Sequence, residues 1–150
     1  MAKILIAYAS MTGNTEEIAE LIAEGIRQTG HMAVLKEAYE CNAAELLEYD
    51  GYLLGVYTWG DGELPDEFLD FYEELDELEL EGSKTAVFGS GDTSYAQFCG
   101  AVDVLEQKLK ERGALLVQDS LKIEFNPQDA EKETCREFGR RFLQVGITVS

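Results

Sequence analysis

Two kinds of segment alternate along this 150-residue chain, and their alternation constrains its fold more than any other feature. Short apolar runs, rich in β-branched and aromatic residues, alternate with longer segments whose apolar residues recur every three or four positions. The first kind is typical of strands covered on both faces, and the second of amphipathic helices. Five such strand–helix units predict a single α/β domain, residues 1–150, with a parallel sheet and helices on both faces.

Turn residues and periodicity locate the predicted elements. Strands are expected at 3–8, 31–37, 52–57, 85–90, 115–118 and 121–125. Asn42 and Glu45 have the spacing of a capping box that opens a short helix, 43–48. Pro65 suits the first turn of the next helix. The predicted inner stripe of that helix is Phe68, Leu69, Tyr72, Leu75 and Leu78.

Three loops follow strands one, three and four of this predicted sheet, namely residues 9–15, 58–64 and 89–100. Ligands of open parallel sheets bind at the carboxyl ends of the strands, where the strand order reverses. These loops are also the three most unusual segments of the chain in composition. We therefore expect a ligand site where they meet.

The loop after the first strand surrounds Gly13 with side chains that can hydrogen-bond, directly before a helix. These side chains are Ser10, Thr12, Asn14 and Thr15. Hydroxyls and the amides of a helix N-terminus suit an anion such as a phosphate, although one of these residues would also serve as an ordinary helix cap. Because no Lys or Arg lies between Lys3 and Arg27, the pattern is not a P-loop and suits a phosphate that is held rather than transferred.

The two other loops each place an aromatic residue among glycines, Trp59 in one and Tyr95 in the other. A single loop aromatic is often a core residue at the edge of the domain. Two of them in neighbouring loops beside an anion site can enclose a flat ring. The lone GxG at 89–91 is a weak motif, since it lacks the third glycine of a dinucleotide fingerprint.

The chain is strongly acidic, and its acids are unevenly placed. Twelve Lys and Arg against thirty Asp and Glu give a formal net charge of −18, and residues 61–81 hold eleven acids and no base. Such a polyanion gains nothing from counterion release on a nucleic acid, and anionic membrane surfaces repel it. The one-sided field can steer a basic partner or serve solubility alone. Self-repulsion favours a monomer.

Cysteine usage and hydropathy indicate the compartment. No apolar stretch approaches the roughly 20 residues of a membrane helix, and the start of the chain has no region resembling a signal-peptide cleavage site. Cys41, Cys99 and Cys135 are odd in number and far apart, which argues against a disulfide framework and against a metal site. We expect a reduced, cytoplasmic protein with His31 at the surface and Cys41 and Cys135 as small core fillers.

Taken together, the three loops resemble those of flavodoxins of the short-chain type, and the resemblance covers essentially the whole chain. It rests on SMTGNT at 10–15, TWGD at 58–61 and GSGDTSYAQFCGAVD at 89–103. It implies a flavodoxin-like three-layer sandwich with sheet order 2-1-3-4-5 and one non-covalent FMN. It also implies an electron carrier rather than an enzyme, working between redox proteins such as flavodoxin/ferredoxin reductases and electron-accepting enzymes.

The resemblance assigns the contacts of the cofactor. The phosphate contacts are Ser10, Thr12, Asn14, Thr15 and the backbone of Gly13, with Met11 at a variable position; Thr58 and Asn14 fall where ribityl contacts are made. Trp59 and Tyr95 correspond to the inner and outer aromatic residues on the ring. Gly60, followed by Asp61, corresponds to the peptide that accepts a hydrogen bond from flavin N5. The rest of the expected set is Ser90, Gly91, Asp92, Phe98 and Cys99.

The acidic residues near the expected ring predict a low potential. At about 10 Å and an effective dielectric of about 20, one carboxylate contributes roughly 1–2 kcal/mol before screening. Acids such as Asp61, Glu63, Asp66 and Glu67 are therefore expected to lower the semiquinone/hydroquinone couple by roughly 100 mV, at about 59 mV for each 1.4 kcal/mol. The hydrogen bond at Gly60 would favour one-electron steps.

Other functions remain open at this stage. An FMN-dependent quinone or azo-compound reductase would share the fold but would turn over NAD(P)H unaided. A phospho-acceptor domain would need clustered acids after the first strand, where Ala9 and Ser10 stand. A low-molecular-weight phosphatase would need a nucleophilic Cys and an Arg in the first loop. A flavodoxin-like partner dedicated to one enzyme would share the signals of a general carrier.

Overall fold

One parallel sheet forms the centre of the computed structural model, which describes residues 2–9, 13–57, 64–91, 100–124 and 127–145. Its strands are β1 (Lys3–Tyr8), β2 (Met32–Glu37), β3 (Gly51–Tyr57), β4 (Lys84–Gly91), β5 (Leu115–Leu116) and β6 (Leu121–Glu124). They are ordered β2-β1-β3-β4-β5, and β6 also pairs with β4. Since β5 and β6 share the fifth position, the predicted order 2-1-3-4-5 is confirmed.

Helices cover both faces of the sheet, as predicted. They are α1 (Asn14–Gln28), α2 (Asp66–Glu74), α3 (Gly100–Glu111) and α4 (Asp129–Val145), with 3₁₀ turns at Ala38–Glu40, Ala43–Glu48 and Leu75–Glu77. One apolar core lies between the sheet and the α1–α4 pair, and a second lies between the sheet and α2, α3 and the first two 3₁₀ turns. We call these two sides the α1/α4 face and the α2/α3 face.

Alternation along the strands sorts side chains between the two cores. In β1, Ile4 and Ile6 enter the α1/α4 core while Leu5 and Ala7 enter the α2/α3 core. All four are fully buried. The strands are therefore apolar at successive positions, which is why they read as continuous apolar runs in the sequence.

On the α1/α4 face the two helix backbones touch. A Cβ on Gly25 would lie 2.0 Å from the backbone oxygen of Arg136, and a Cβ on Gly139 would lie 2.3 Å from the backbone oxygen of Ile22. Both distances are far below contact, so only glycine fits at these two crossings. The helices therefore pack at a separation that no larger residue permits there.

On the α2/α3 face, aromatic side chains fill the space beneath α2. Phe68 and Phe71 are buried, with ring centroids 5.1 Å apart. The predicted stripe was wrong at Leu69, which is 39% exposed, and it omitted Phe71, which is 1% exposed. Helix α2 ends at Glu74 and tightens into a 3₁₀ turn, so the predicted register does not continue to the half-buried Leu78.

The capping box is confirmed, although the short helix it opens is of the 3₁₀ type. The backbone amide of Asn42 donates to Glu45 Oε2 at 2.8 Å. Lys36 Nζ donates to the other carboxylate oxygen at 2.6 Å. These bonds hold the pKa of the Glu45 carboxyl below its usual range, chiefly through the Lys36 ammonium.

The last strand is interrupted at residues 117–120, between β5 and β6. Val117 still donates its amide to the Thr85 oxygen at 3.1 Å, beyond the end of β5. The predicted segments 115–118 and 121–125 are thus shorter than expected, and Phe125 lies outside the described residues. The gap falls at the outer edge of the sheet.

The remaining predictions concern single residues. Cys41 and Cys135 are buried free thiols, as expected of core fillers, and burial raises the pKa of each thiol to about 12. His31 is half-buried rather than fully at the surface, and its Nδ1 accepts a hydrogen bond from the Ala2 amide at 2.8 Å. None of the described helices combines the length and hydropathy that a bilayer span requires.

Candidate functional site

Three strands end at one edge of the sheet, and each leads into one of the predicted ligand loops. β1 ends at Tyr8, β3 at Tyr57 and β4 at Gly91, and the parallel register aligns Tyr8 with Gly55 and Tyr57 with Ser90. Because β1 lies between β2 and β3, the strand order reverses beside β1. This is the position at which open parallel sheets bind their ligands.

Helix α1 begins at this edge with an unusual cap. Gly13 is its N-cap residue, with φ at 90° in the left-handed region, and a Cβ there would meet no atom of the described residues within 4 Å. The first intrahelical bond runs from the Glu17 amide to the Gly13 oxygen, at 2.9 Å. Because a glycine at the N-cap supplies no side-chain oxygen, the start of α1 fits the anion hypothesis better than an ordinary side-chain cap.

A buried hydrogen bond joins the first turn of α1 to the end of β4. Thr15 Oγ1 and Ser90 Oγ are 2.8 Å apart, although the residues are 75 positions apart in the chain. Thr15 is 1% exposed and Ser90 is 3% exposed. The structure therefore brings together two residues that the sequence assigned to different loops of the same site.

The phenol of Tyr8, at the end of β1, contacts the first turn of α1. Its hydroxyl donates to Glu16 Oε2 at 3.1 Å. Burial, followed by the hydrogen bond to Glu16, raises the pKa of Tyr8 well above its usual range, so the phenol stays protonated as a donor. Glu16 and Glu17 both lie in the first turn of α1. An anion bound there therefore depends on amide and hydroxyl donors to offset two carboxylates.

Two glycines let the strands pack closely just before the site. A Cβ on Gly55 would lie 2.2 Å from the ring of Phe88, and a Cβ on Gly89 would lie 2.4 Å from the Val56 oxygen. The ring of Phe88 thus occupies the space beside Gly55. Sequence reasoning missed this support, although a glycine inside an apolar strand is a known sign of close approach.

Five of the sixteen predicted cofactor contacts lie in the described residues. Gly13 and Asn14 open α1, Thr15 and Ser90 are in contact, and Gly91 is the last residue of β4. The predicted contacts outside the described residues are Ser10, Met11, Thr12, Thr58, Trp59, Gly60, Asp61, Asp92, Tyr95, Phe98 and Cys99. All sixteen assignments as cofactor contacts stay predictions, including the five that lie in described residues.

Helix α2 and the segment after it form an acidic surface beyond the second of these loops. We define this surface by its described acids, which are Asp66, Asp70, Glu73, Glu74, Asp76, Glu77, Glu79 and Glu81. Within the described parts of the chain, only Asp76 among them forms an ion pair, with Lys108. The surface is thus largely uncompensated, and its negative field extends into solvent.

Comparison with known proteins identifies the family to which this chain belongs. Residues 6–139 match the family model described as Flavodoxin. Probable flavodoxin 2 of Bacillus subtilis is 52% identical over 145 residues, which is 96% of each chain. A flavodoxin of Maridesulfovibrio salexigens is 44% identical over 134 residues, covering 87% of this chain and 92% of that one.

Solved structures of flavodoxins also have backbones similar to that of this chain. The oxidised flavodoxin 2 from Bacillus cereus is 56% identical, with a TM-score of 0.91 and coverage of 95% of this chain and 99% of that one. A short-chain flavodoxin associated with a bacterial microcompartment is 29% identical, also with a TM-score of 0.91, over 96% of this chain and 98% of that one. The similarity extends over nearly the whole chain.

Proposed function

Since this chain belongs to the short-chain group of the flavodoxin family and is a small FMN-binding electron carrier rather than an enzyme, we propose that it holds FMN at the carboxyl edge of the sheet and passes single electrons to proteins that dock nearby. The observation that supports this most directly is the start of α1. There the left-handed Gly13 and the buried Thr15 hydroxyl lie beside the reversal of strand order.

The phosphate of FMN fits the residues at this corner. Neutral donors are available at Thr15 and Asn14 and at the amides of the first turn of α1, and no atom of the described residues fills the space where a Cβ of Gly13 would lie. Ser10 and Thr12 would add two hydroxyls from the adjoining loop. Cations are not needed, because this phosphate is held and never transferred.

The flavin ring would lie between the two other loops. On the family motifs, Trp59 and Tyr95 would cover its two faces, Gly60 would accept the hydrogen bond at N5, and Asp92 and Cys99 would meet the pyrimidine edge. When bound, FMN supplies the one-electron redox chemistry. The chain itself binds and orients the ring and excludes water from it.

The acidic surface supports a proposal about partners. Redox proteins are the partners of this family, and those with basic faces would be drawn to the carboxylates of α2. A shuttle needs weak, short-lived complexes, and a small interface with long-range attraction meets that need. We further propose that the carrier works as a cytoplasmic monomer, which the net charge of −18 favours through self-repulsion.

Spectroscopy of the purified protein tests the cofactor and its electron count. FMN added to the apoprotein should lose its fluorescence on binding, and anaerobic addition of dithionite should reduce the holoprotein in two resolved one-electron steps. Reduction in a single two-electron step, or steady turnover of NAD(P)H with a quinone by this protein alone, would contradict the proposal.

The salt dependence of association tests the docking surface. The probe is a basic c-type cytochrome reduced by the holoprotein in stopped flow. The association rate should fall steeply as salt rises from low to physiological concentration, because the Debye length shortens to about 8 Å. A rate that does not change with salt would remove the acidic surface from the mechanism.

A further inference from the structure

We propose that Ser90 is a positioning residue for the phosphate end of the site, acting through Thr15. The Ser90 hydroxyl donates its hydrogen to Thr15 Oγ1, which leaves the Thr15 hydrogen free to donate to the anion. The inference rests on the proposed function, and it assigns to Ser90 a role without contact to the cofactor, in place of the direct contact that the family resemblance implies.

The geometry makes these two hydroxyls each other's partners. Their oxygens are 2.8 Å apart, and either oxygen can be the donor. Thr15 is 1% and Ser90 3% exposed, so solvent contributes little to satisfying them. Each hydroxyl carries one hydrogen, and the bond between them uses one of the two. The hydroxyl that accepts this bond keeps its own hydrogen and can donate it to a third group.

A bound anion decides between the two arrangements. If Thr15 donates to Ser90, the lone pairs of Thr15 face an anion at the start of α1, which is repulsive. If Ser90 donates, the Thr15 hydrogen faces the anion and forms a charge-assisted hydrogen bond, which is stronger than a neutral one. The two bonds then polarise each other in the same direction.

The register of β4 explains why Ser90 can serve in this way. Ala86 and Phe88 enter the α1/α4 core, and Ser90 follows them on the same face, beneath the first turn of α1. Thr85, one residue out of phase, is a buried hydroxyl on the same strand that belongs to the opposite face and has no hydrogen-bond partner among the described residues. Because side chains alternate between the two faces of β4, the Ser90 hydroxyl reaches Thr15 and the Thr85 hydroxyl does not.

The test compares FMN with riboflavin, which lacks the phosphate. Dissociation constants of both are measured by fluorescence quenching for wild type, Ser90→Ala, Thr15→Val and the double variant. Ser90→Ala should weaken FMN binding about tenfold, or about 1.4 kcal/mol, and change riboflavin binding less than about twofold. In the Thr15→Val background, Ser90→Ala should produce no further change in the FMN-to-riboflavin ratio.

Controls separate positioning from a general structural effect. Thr85→Val should leave the FMN-to-riboflavin ratio at its wild-type value, and urea unfolding of each apoprotein reports folding independently of the cofactor. If Ser90→Ala does not fold, Ser90→Cys replaces it, because a thiol is of similar size but a weaker donor, and a smaller loss confined to FMN is expected.

Two results would overturn the inference. One is an equal loss of FMN and riboflavin affinity in the Ser90 variant. The other is an effect of Ser90→Ala on the ratio that persists when Thr15 is already Val. Failure of the wild-type protein to bind FMN would instead overturn the proposed function, so the two failures are distinguishable.

Discussion

The two faces of the sheet differ in the share of their helical acids that pair with a base. On the α1/α4 face, Arg136 pairs with Glu24 across the two helices at 3.0 Å, and Arg140 pairs with Glu133 and Glu137 along α4. On the α2/α3 face, the acidic surface has one ion pair among its described residues, Asp76 with Lys108. Among the described residues, three of the eight acids on α1 and α4 therefore pair with arginines, against one of the eight acids that define the acidic surface.

The paired acids stabilise the fold, whereas the unpaired acids destabilise it and need another explanation. Surface ion pairs contribute about 0–1 kcal/mol each, so the paired carboxylates add modestly to the contact between α1 and α4. Unpaired like charges cost stability through mutual repulsion. An uncompensated surface is therefore best explained by something outside the chain, and a basic partner is the explanation we propose.

The packing of the two faces differs as well. The α1–α4 contact is made between backbones at Gly25 and Gly139, whereas α2 packs through the rings of Phe68 and Phe71. Side chains can adjust to a substitution by changing rotamer. Two backbones in contact cannot, so the α1/α4 face should be the less tolerant of added volume.

The largest expected effect is therefore that of Gly25→Ala. The new methyl would lie 2.0 Å from the Arg136 backbone oxygen, and α4 must move to admit it. We expect a loss of about 3 kcal/mol in the free energy of unfolding, measured by urea denaturation of the apoprotein. Glu20→Ala, at an exposed position of α1, is the control. A gain of about 1 kcal/mol, as helix propensity alone predicts, would contradict the contact.

Charge reversal should separate the two faces by kinetics. Asp70→Lys with Glu73→Lys should slow association with the basic cytochrome about tenfold at low salt. Glu24→Lys with Glu133→Lys changes the net charge equally, yet it should alter the rate less than about twofold and reduce stability instead. Equal slowing by both pairs would mean that net charge matters and the position of the acids does not.

Two buried hydroxyls should respond to deletion with opposite signs. Thr85 Oγ1 has no partner among the described residues, so Thr85→Val should raise the free energy of unfolding by about 1 kcal/mol. Tyr52 shares a 2.6 Å hydrogen bond with Ser83, so Tyr52→Phe should lower it by about 1 kcal/mol. Thermal and urea unfolding measure both. Destabilisation by Thr85→Val would show that this hydroxyl is satisfied after all.

The smallest expected effect is that of pH on the paired face. The Arg140 guanidinium holds the pKa of the Glu133 carboxyl below its usual range. The ion pair between Glu133 and Arg140 therefore stabilises the folded state fully above the pKa of a glutamate in the unfolded chain, about 4.3. This stabilisation is lost as the pH falls through the lower pKa that Glu133 has in the folded protein. Glu133→Gln should be less stable than wild type at neutral pH, and the difference should shrink on acidification and in high salt. Asp70, which forms no ion pair within the described residues, gives the control variant Asp70→Asn, whose free energy of unfolding at neutral pH should stay close to that of wild type.

Much of the fold could be predicted because its causes are local. Apolar periodicity identified the strands and helices, and the spacing of Asn42 and Glu45 identified the capping box. The register of α2 was partly wrong, because Leu69 and Phe71 are both apolar and only the packing decides which one is buried. Tertiary contact, not sequence pattern, selects the buried stripe in so short a helix.

The candidate site could be predicted as a location, and less fully as a set of contacts. The edge where β1, β3 and β4 end follows from the alternation of strands and helices. The contact between Thr15 and Ser90 does not, because it depends on the register of β4 against α1 across 75 residues. The backbone contacts of Gly25 and Gly139 were missed for the same reason, since nothing in either helix alone requires glycine there.

The interruption of the last strand has a consequence for how copies of this protein behave at high concentration. An unbroken outer strand presents a row of backbone amides and carbonyls on which another chain can add a strand, and this is a route to aggregation. In the part of the chain that the structure describes, that edge consists of two residues, a gap and four residues, with Lys122 in the longer piece. A neighbouring molecule therefore finds no long template for an added strand at this edge of the sheet.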